Sequence, residues 1–173
     1  MTSPLPEPWL RGPLPGIPAG LQPVAHALVA SREDVAQALD GLTTAQLWQR
    51  PGGAAAIGWH VLHLAGSTDR LCTYARGEAL TETQRAALAR ERELPAPPPA
   101  LEELRAEWER VVERALAQLA GTPESALDDP RPVGRAQLPS TVRGLLFHAA
   151  EHSRRHVGQI VTTAKIIRGL ALA

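Results

Sequence analysis

TVRGLLFHAAEHSRRHVGQIVTTAKIIR, residues 141–168, is the stretch on which the reading of the fold turns: it forms a single long helix carrying His148, His152 and His156 at intervals of four. A helix turns about 100° per residue, so residues four apart share a stripe, with Cβ atoms about 5–6 Å from one another. Three of the chain's six histidines therefore lie on one stripe. Neutral imidazoles spaced in this way can reach one transition-metal ion together. The competing reading is a polar helix face with ordinary histidines. Helix rise limits the ligand set. His148 and His156 are two turns apart, about 12 Å along the axis, too far for one ion with bonds of about 2.1 Å to take both together with His152. One adjacent pair binds, either 148 with 152 or 152 with 156, and His152 belongs to both. The third histidine is left to orient a ligand or to touch substrate.

Length and composition set the limits around that helix. A chain of 173 residues makes one domain and buries about 70% of its unfolded surface. Eighteen basic residues balance eighteen acidic ones, so the field of the whole molecule favours neither nucleic acid nor an anionic membrane as partner. Cys72 is the sole cysteine; it cannot form an internal disulfide, and its apolar helical setting predicts a buried, inert thiol. A reducing cytoplasm fits that usage. No apolar run approaches the ~20 residues of a membrane span, and the opening MTSPLPEPWLRGP lacks the apolar core of a signal peptide.

Outward from the last helix, the chain resolves into further amphipathic helices. Residues 1–20 are rich in proline and glycine and predict an extended arm, with Trp9 and Leu10 pinning it to the domain or to a neighbouring subunit. Residues 21–173 make up the helical domain. Its first helix begins at Pro23 and stops at Gly41, with Val24, Leu28, Val35 and Leu39 as the apolar stripe. His26, near its start, reads as a cap or surface residue rather than a ligand. Thr44 caps a short turn containing Leu47 and Trp48, and Pro51-Gly52-Gly53 breaks the chain.

The second helix runs from about Ala56 to Arg76 and is closed by Gly77, with Ile57, Leu64, Leu71 and Tyr74 near helical spacing. His60 and His63 lie one turn apart on it, their directions differing by about 60°. A half-buried histidine here is either a satisfied core residue or a third metal ligand. Residues 81–92 form a short polar helix opened by a Thr81/Gln84 capping box, and residues 94–100, LPAPPPA, are a proline-stiffened connector. Leu101 to Ala120 make the third long helix, with Leu101, Leu104, Trp108, Val111, Val112, Leu116 and Leu119 on one side. The nineteen-residue loop TPESALDDPRPVGRAQLPS then leads to the last helix. Its length predicts a lid or a mobile segment, and its Asp128-Asp129 pair reads as turn chemistry before Pro130. Four long helices with long crossover connections predict an all-α four-helix bundle, an architecture that builds metal sites from side chains facing one another across the core.

Two patterns give the bundle a family resemblance. Trp59-His60-Val61-Leu62-His63 places a tryptophan four residues before a histidine, and HAAEHSRRHVGQI carries His152, His156, Gly158 and Gln159. In these features, and in helix order over residues 21–168, the chain resembles the DinB/YfiT-like four-helix metalloproteins; the proline-rich arm falls outside the resemblance. The family's site takes one histidine from the second helix and an H-x-x-x-H pair from the last, which the resemblance maps onto His63, His152 and His156. Many members carry a further histidine just before the last ligand, where this chain has Arg155.

Three imidazoles leave open positions on an ion and preserve its full positive charge, and residue type is compatible with zinc or nickel. Such an ion can ionise a water, or hold a thiol as thiolate and so activate it. Relatives of the resembling kind include S-transferases and an isomerase that use bacillithiol or mycothiol. The resemblance therefore implies transfer of a low-molecular-weight thiol to a small electrophile, in stress or detoxification. It also implies a homodimer. Arg70, Arg154 and Arg155 are the candidates for pairing with carboxylates of the thiol, whereas Glu151 points about 100° away from His152 and is not a ligand. The alternatives are a metal-dependent hydrolase, for which no general base is evident beside the histidines, and a non-catalytic metal-binding stress protein.

Overall fold

The computed structural model describes residues 5–91, 93 and 95–170, so the first four residues of the arm, Arg92 at the end of the expected polar helix, Leu94 at the head of the connector and the last three residues of the domain lie outside it. Six α-helices form, and among the described residues there is no strand: α1 (Gln22–Leu39), α2 (Thr44–Leu47), α3 (Ile57–Ala75), α4 (Glu82–Arg90), α5 (Leu101–Gly121) and α6 (Val142–Leu170). The four long ones make the bundle. α6 packs against both α1 and α3, and α5 packs against the same two from the other side, so the consecutive helices α1 and α3 face each other across a diagonal. Among the described residues no helix is long and apolar enough to cross a membrane.

The core follows the apolar spacing. Val24, Leu28, Val35 and Leu39 of α1 are buried, as are Ile57 and Leu64 of α3, Leu104, Trp108, Val111, Val112 and Leu119 of α5, and Leu146, Val157, Ile160 and Ala164 of α6. Leu71 and Tyr74 are only partly covered. Cys72 is buried, and loss of solvation pushes its thiol up to about 11, which keeps it protonated and inert. Helices end where the chain needs a left-handed turn: Gly41 (φ 69°) follows α1 and Gly77 (φ 77°) follows α3.

Three local expectations are corrected. The cap of α2 is Thr43, not Thr44. Thr43 Oγ1 accepts from the Gln46 N–H (3.2 Å) while Gln46 Oε1 accepts from the Thr43 N–H (2.9 Å), and Thr44 is the first helical residue. Trp9 and Leu10 do not pin the arm to the domain; they are 61% and 57% exposed. The arm is held by polar groups instead. Arg11 grips Glu33 of α1 through both guanidinium arms (2.6 and 2.8 Å), Gln22 holds the backbone at Leu14 and Ile17, and His26 meets the Gly12 carbonyl at 2.9 Å.

The third correction concerns the loop over 122–140, which is anchored rather than lid-like. Leu127 is fully buried, Pro130 pairs with Thr141 and Val133 with Leu138, and Arg131 Nε donates to the Ala75 carbonyl at 3.1 Å. Asp128 accepts from Arg143 Nε and Nη2 (3.0 and 3.3 Å), an ion pair to the first turn of α6 rather than a bond within its own turn.

The short helix α4 matters for the site because of how little holds it. None of its residues is buried. The Thr81/Gln84 capping box forms as its spacing predicts, and Gln84 Nε2 then donates to Asp69 Oδ2 (2.6 Å) and Thr73 Oγ1 (2.8 Å) of α3. Those polar ties fasten the start of α4 to α3. Its far end carries Glu91.

Candidate metal centre

His63 of α3 and His152 and His156 of α6 each offer a ring nitrogen, and the three nitrogens lie within 4.8 Å of one another. Packing of α3 on α6 brings them together. His63 Nε2 and His152 Nε2 are 2.8 Å apart, and the His156 ring centroid is 4.6 Å from each of the other two. Of the two adjacent pairs open on α6, the structure assembles 152 with 156. His148 is exposed on the same stripe, its Nδ1 2.7 Å from Glu151 Oε1. That contact also accounts for Glu151, which faces away from the cluster.

The cluster suits a cation on two counts. Loss of solvation, followed by the closeness of the His63 ring and then of further histidines and Arg155, pushes both His152 and His156 down to about 4. Both rings are therefore neutral at pH 7 and ready to donate lone pairs. Glu91 Oε2 lies 3.3 Å from His63 Nδ1. A carboxylate accepts there, so Nδ1 carries the hydrogen and the Nε2 lone pair faces His152. His152 meets that lone pair with its own Nε2 hydrogen at 2.8 Å, and the same two nitrogens would turn to a divalent cation held by the cluster. The donor set of three imidazoles fits zinc or nickel.

Around His63 sits a small charged frame. The Trp59 indole stacks on the imidazole, centroids 5.1 Å apart and planes 4° from parallel, and its Nε1–H donates to the Glu91 backbone carbonyl at 2.7 Å. Glu91 Oε1 accepts from Arg70 Nη2 at 2.6 Å. Burial raises the Glu91 carboxyl, but hydrogen bonds from His63 and Arg70 and the Arg70 charge outweigh it and hold the group below the usual glutamate value. Gly66 makes this frame possible: a Cβ there would stand 2.8 Å from Arg70 Nη1 and 3.1 Å from Glu91 Oε1.

On the other side of the cluster the partner is neutral. His60, buried in α3, places its Nδ1 2.9 Å from Nδ1 of His156. His152 Nδ1 is buried with no hydrogen-bond partner among the described residues.

A cavity of about 500 Å³ opens against His63, walled by Trp59, Leu62, Ala87, Pro95 and Ala96 and by the charged pair Arg70 and Glu91. A smaller one of about 190 Å³ touches His148, His152, Tyr74 and again Arg70. Arg70 thus borders both, and its Nη1 is buried without a partner among the described residues. The other two arginines singled out from the sequence stand elsewhere. Arg154 Nη1 donates to Asp34 Oδ2 of α1 at 2.7 Å, and Arg155 lies exposed beside Glu151 (3.3 Å). The structure brings Arg70 into the site and leaves Arg154 on the α1 side of α6. Sequence reasoning missed Glu91 and the pairing of His60 with His156. Glu91 lies 28 residues from the histidine it meets, in a run of charged residues with no periodic signal. His60 carried a signal, its spacing to His63, that left its partner open.

The model of the DinB superfamily matches residues 27–160. A comparison with curated proteins returns no match. Among solved structures, the chain is similar to a conserved protein from Enterococcus faecalis, with 20% identity, a TM-score of 0.65, and coverage of 86% of this chain and 97% of that one. At that identity the likeness speaks for the fold.

Proposed function

This chain belongs to the DinB superfamily, and we propose from that premise that it is a metal-dependent S-transferase joining a low-molecular-weight thiol of the bacillithiol or mycothiol type to a small electrophile. The observation that carries the reading is the convergence of His63, His152 and His156 beside a cavity of about 500 Å³ with Arg70 in its wall. A divalent ion held by three neutral imidazoles keeps open positions at which a thiol binds as thiolate at neutral pH. The chain's own groups supply the rest. Trp59, Leu62, Ala87, Pro95 and Ala96 give the cavity an apolar wall for the thiol and the electrophile, and Nη1 of Arg70, without a partner among the described residues, offers a donor to a carboxylate of the thiol. Transfer forms a sulfur–carbon bond to the electrophile and breaks the bond to its leaving group, which departs with the electron pair; the thiol proton goes to solvent. A reducing cytoplasm, where such thiols are kept, is the compartment that suits this chemistry and the buried Cys72. A role in detoxification or stress, and assembly as a homodimer, complete the proposal.

One observation favours hydrolysis as the second reading: a carboxylate, Glu91, stands beside His63 and borders the cavity. Its chemistry weakens that case. A glutamate held below its usual value by hydrogen bonds from His63 and Arg70 is a poor general base at pH 7.

Elemental analysis of the purified protein and of His152→Ala tests the centre, with one ion per chain expected in the first and none in the second. Incubation of the metal-loaded protein with bacillithiol or mycothiol and a panel of alkylating electrophiles tests the transfer. No rate above buffer across the panel sinks it, and turnover of esters or amides without any thiol replaces it with the hydrolase.

A further inference from the structure

His60 is buried at 3% exposure in α3, and its only side-chain hydrogen-bond contact among the described residues is with another histidine, Nδ1 to Nδ1 of His156 at 2.9 Å. Two imidazole nitrogens at that distance are bonded only if one of them carries a hydrogen and the other presents a lone pair. Two arrangements are open, and they have opposite consequences for the cluster. If His60 donates, His156 accepts at Nδ1 and must carry its hydrogen on Nε2, which closes that nitrogen to a metal. If His156 donates, its Nε2 lone pair is free and His60 is the acceptor. His63 shows the second arrangement on the other side of the site, where Glu91 accepts at Nδ1 and leaves Nε2 turned toward His152.

We propose that His60 is a positioning residue of the metal centre, a neutral acceptor that holds His156 as the Nδ1–H tautomer and fixes its ring with Nε2 toward His63 and His152. The inference rests on the reading of the three histidines as a metal site and adds a fourth, non-ligating one. The choice of an imidazole over a carboxylate has a physical sense. His60 is enclosed on the core side of the cluster, with Trp59 edge-on to it at 5.1 Å between centroids, and an unpaired carboxylate there would carry a heavy desolvation cost. Glu91, by contrast, has Arg70 to balance it. A neutral acceptor orients the ligand without adding charge to the centre. Outer partners of this type typically set metal affinity by 10- to 100-fold, about the range expected here.

Two substitutions separate positioning from packing. His60→Leu fills the space with no acceptor; His60→Asn places an amide oxygen near the position of Nδ1. Chelator competition for zinc should show His60→Leu weaker than wild type by about 10- to 100-fold, with His60→Asn restoring most of the loss. Equal affinity in His60→Leu overturns the proposal, as does an Asn variant as weak as the Leu variant. A measurement on the unsubstituted protein guards against variants that fail to fold. In the zinc-loaded, 15N-histidine-labelled chain, long-range proton–nitrogen correlations should show the hydrogen of His156 on Nδ1 and that of His60 on Nε2. A His156 hydrogen on Nε2 refutes the assignment. Wild-type protein that takes up no zinc at all fails differently: it removes the metal-site reading itself and the inference with it, whereas a zinc-binding wild type with an unaffected His60→Leu removes only the inference.

Discussion

The α3 side and the α6 side of the histidine cluster are built on different principles. His63, from α3, is stacked by Trp59 and anchored by Glu91, which is itself tied to Arg70; the carboxylate comes from the end of α4, a helix with no buried residue of its own. His152 and His156, from α6, sit on a helix packed against both α1 and α3. One of them is backed by a neutral imidazole and the other, among the described residues, by nothing at Nδ1. A carboxylate partner raises the basicity of its ligand and couples it to whatever moves the carboxylate, whereas a neutral partner fixes only orientation. One ligand is therefore tuned by a peripheral segment, and two are fixed by the core.

Removing ligands should give the largest effect and treat both sides alike. His63→Ala, His152→Ala and His156→Ala each leave two imidazoles, and each should lower zinc affinity beyond the about 100-fold that an outer partner commands. Isothermal titration against a chelator-buffered zinc series measures this. A His63→Ala variant that keeps wild-type affinity would detach α3 from the site and end the comparison.

The next effect should tell the sides apart. Glu91→Gln removes the charge behind His63 and leaves Arg70, whose side chain is only 9% exposed, without its ion-pair partner. Zinc affinity should fall by about 10- to 100-fold, and denaturant unfolding of the metal-free protein should show a loss of about 1–3 kcal/mol from the unpaired guanidinium. His60→Asn touches the neutral side and should cost little in either measurement. If the two variants prove equal, the distinction between charged and neutral backing has no energetic content.

Acidity probes the α6 side. His152 and His156 are held down to about 4 from an ordinary value of 6.5, chiefly by loss of solvation. Between those values the unfolded chain binds protons that the folded chain does not, so the stability of the metal-free protein should fall as pH drops from about 6.5 toward about 4. Carboxylates contribute to acid unfolding as well, and the histidine share is isolated by substitution. The slope of unfolding free energy against pH in this window should be shallower in His152→Gln than in wild type. With saturating zinc the ligands stay deprotonated further into acid, and the onset of the loss should move to lower pH. Equal slopes in the two chains would mean that the rings are not buried as neutral groups.

The same contrast explains how much was legible in the sequence. The α6 pair was visible because both ligands obey one helical period. Rise alone excluded a three-histidine ladder on one ion, but the choice between 148 with 152 and 152 with 156 needed either the family resemblance or the docking of α3. The bundle itself was legible for the same reason, since apolar residues at helical spacing say which face is buried. What was not legible is everything set by where an aperiodic segment ends in space. Glu91 reaches His63 because Gln84 ties the start of α4 to Asp69 and Thr73, a long-range contact with no local pattern. Trp9 and Leu10 do not hold the arm to its own domain for a related reason: two large apolar side chains suggest an anchor there, yet Arg11 and Gln22 supply it. The loop over 122–140 looked like a lid by its length alone, whereas the buried Leu127 and the bond from Arg131 to the Ala75 carbonyl tie it to the bundle.

The smallest expected effect separates arginines that the sequence ranks alike. Arg154 pairs with Asp34 at 2.7 Å with both side chains about 40% exposed (41% and 39%), a setting in which such a pair contributes about 0–1 kcal/mol. Arg154→Ala should therefore change unfolding free energy by no more than that and should leave zinc affinity and thiol saturation where they are. Arg70→Met is the partner experiment. It should raise the thiol concentration needed for half-saturation, because the cavity loses its buried guanidinium, and it should weaken zinc modestly by releasing Glu91 from the geometry that serves His63. A thiol dependence that shifts in Arg154→Ala and not in Arg70→Met would move substrate recognition from the α3 side of the cluster to α6. It would also leave the unpaired Nη1 of Arg70 without a chemical role.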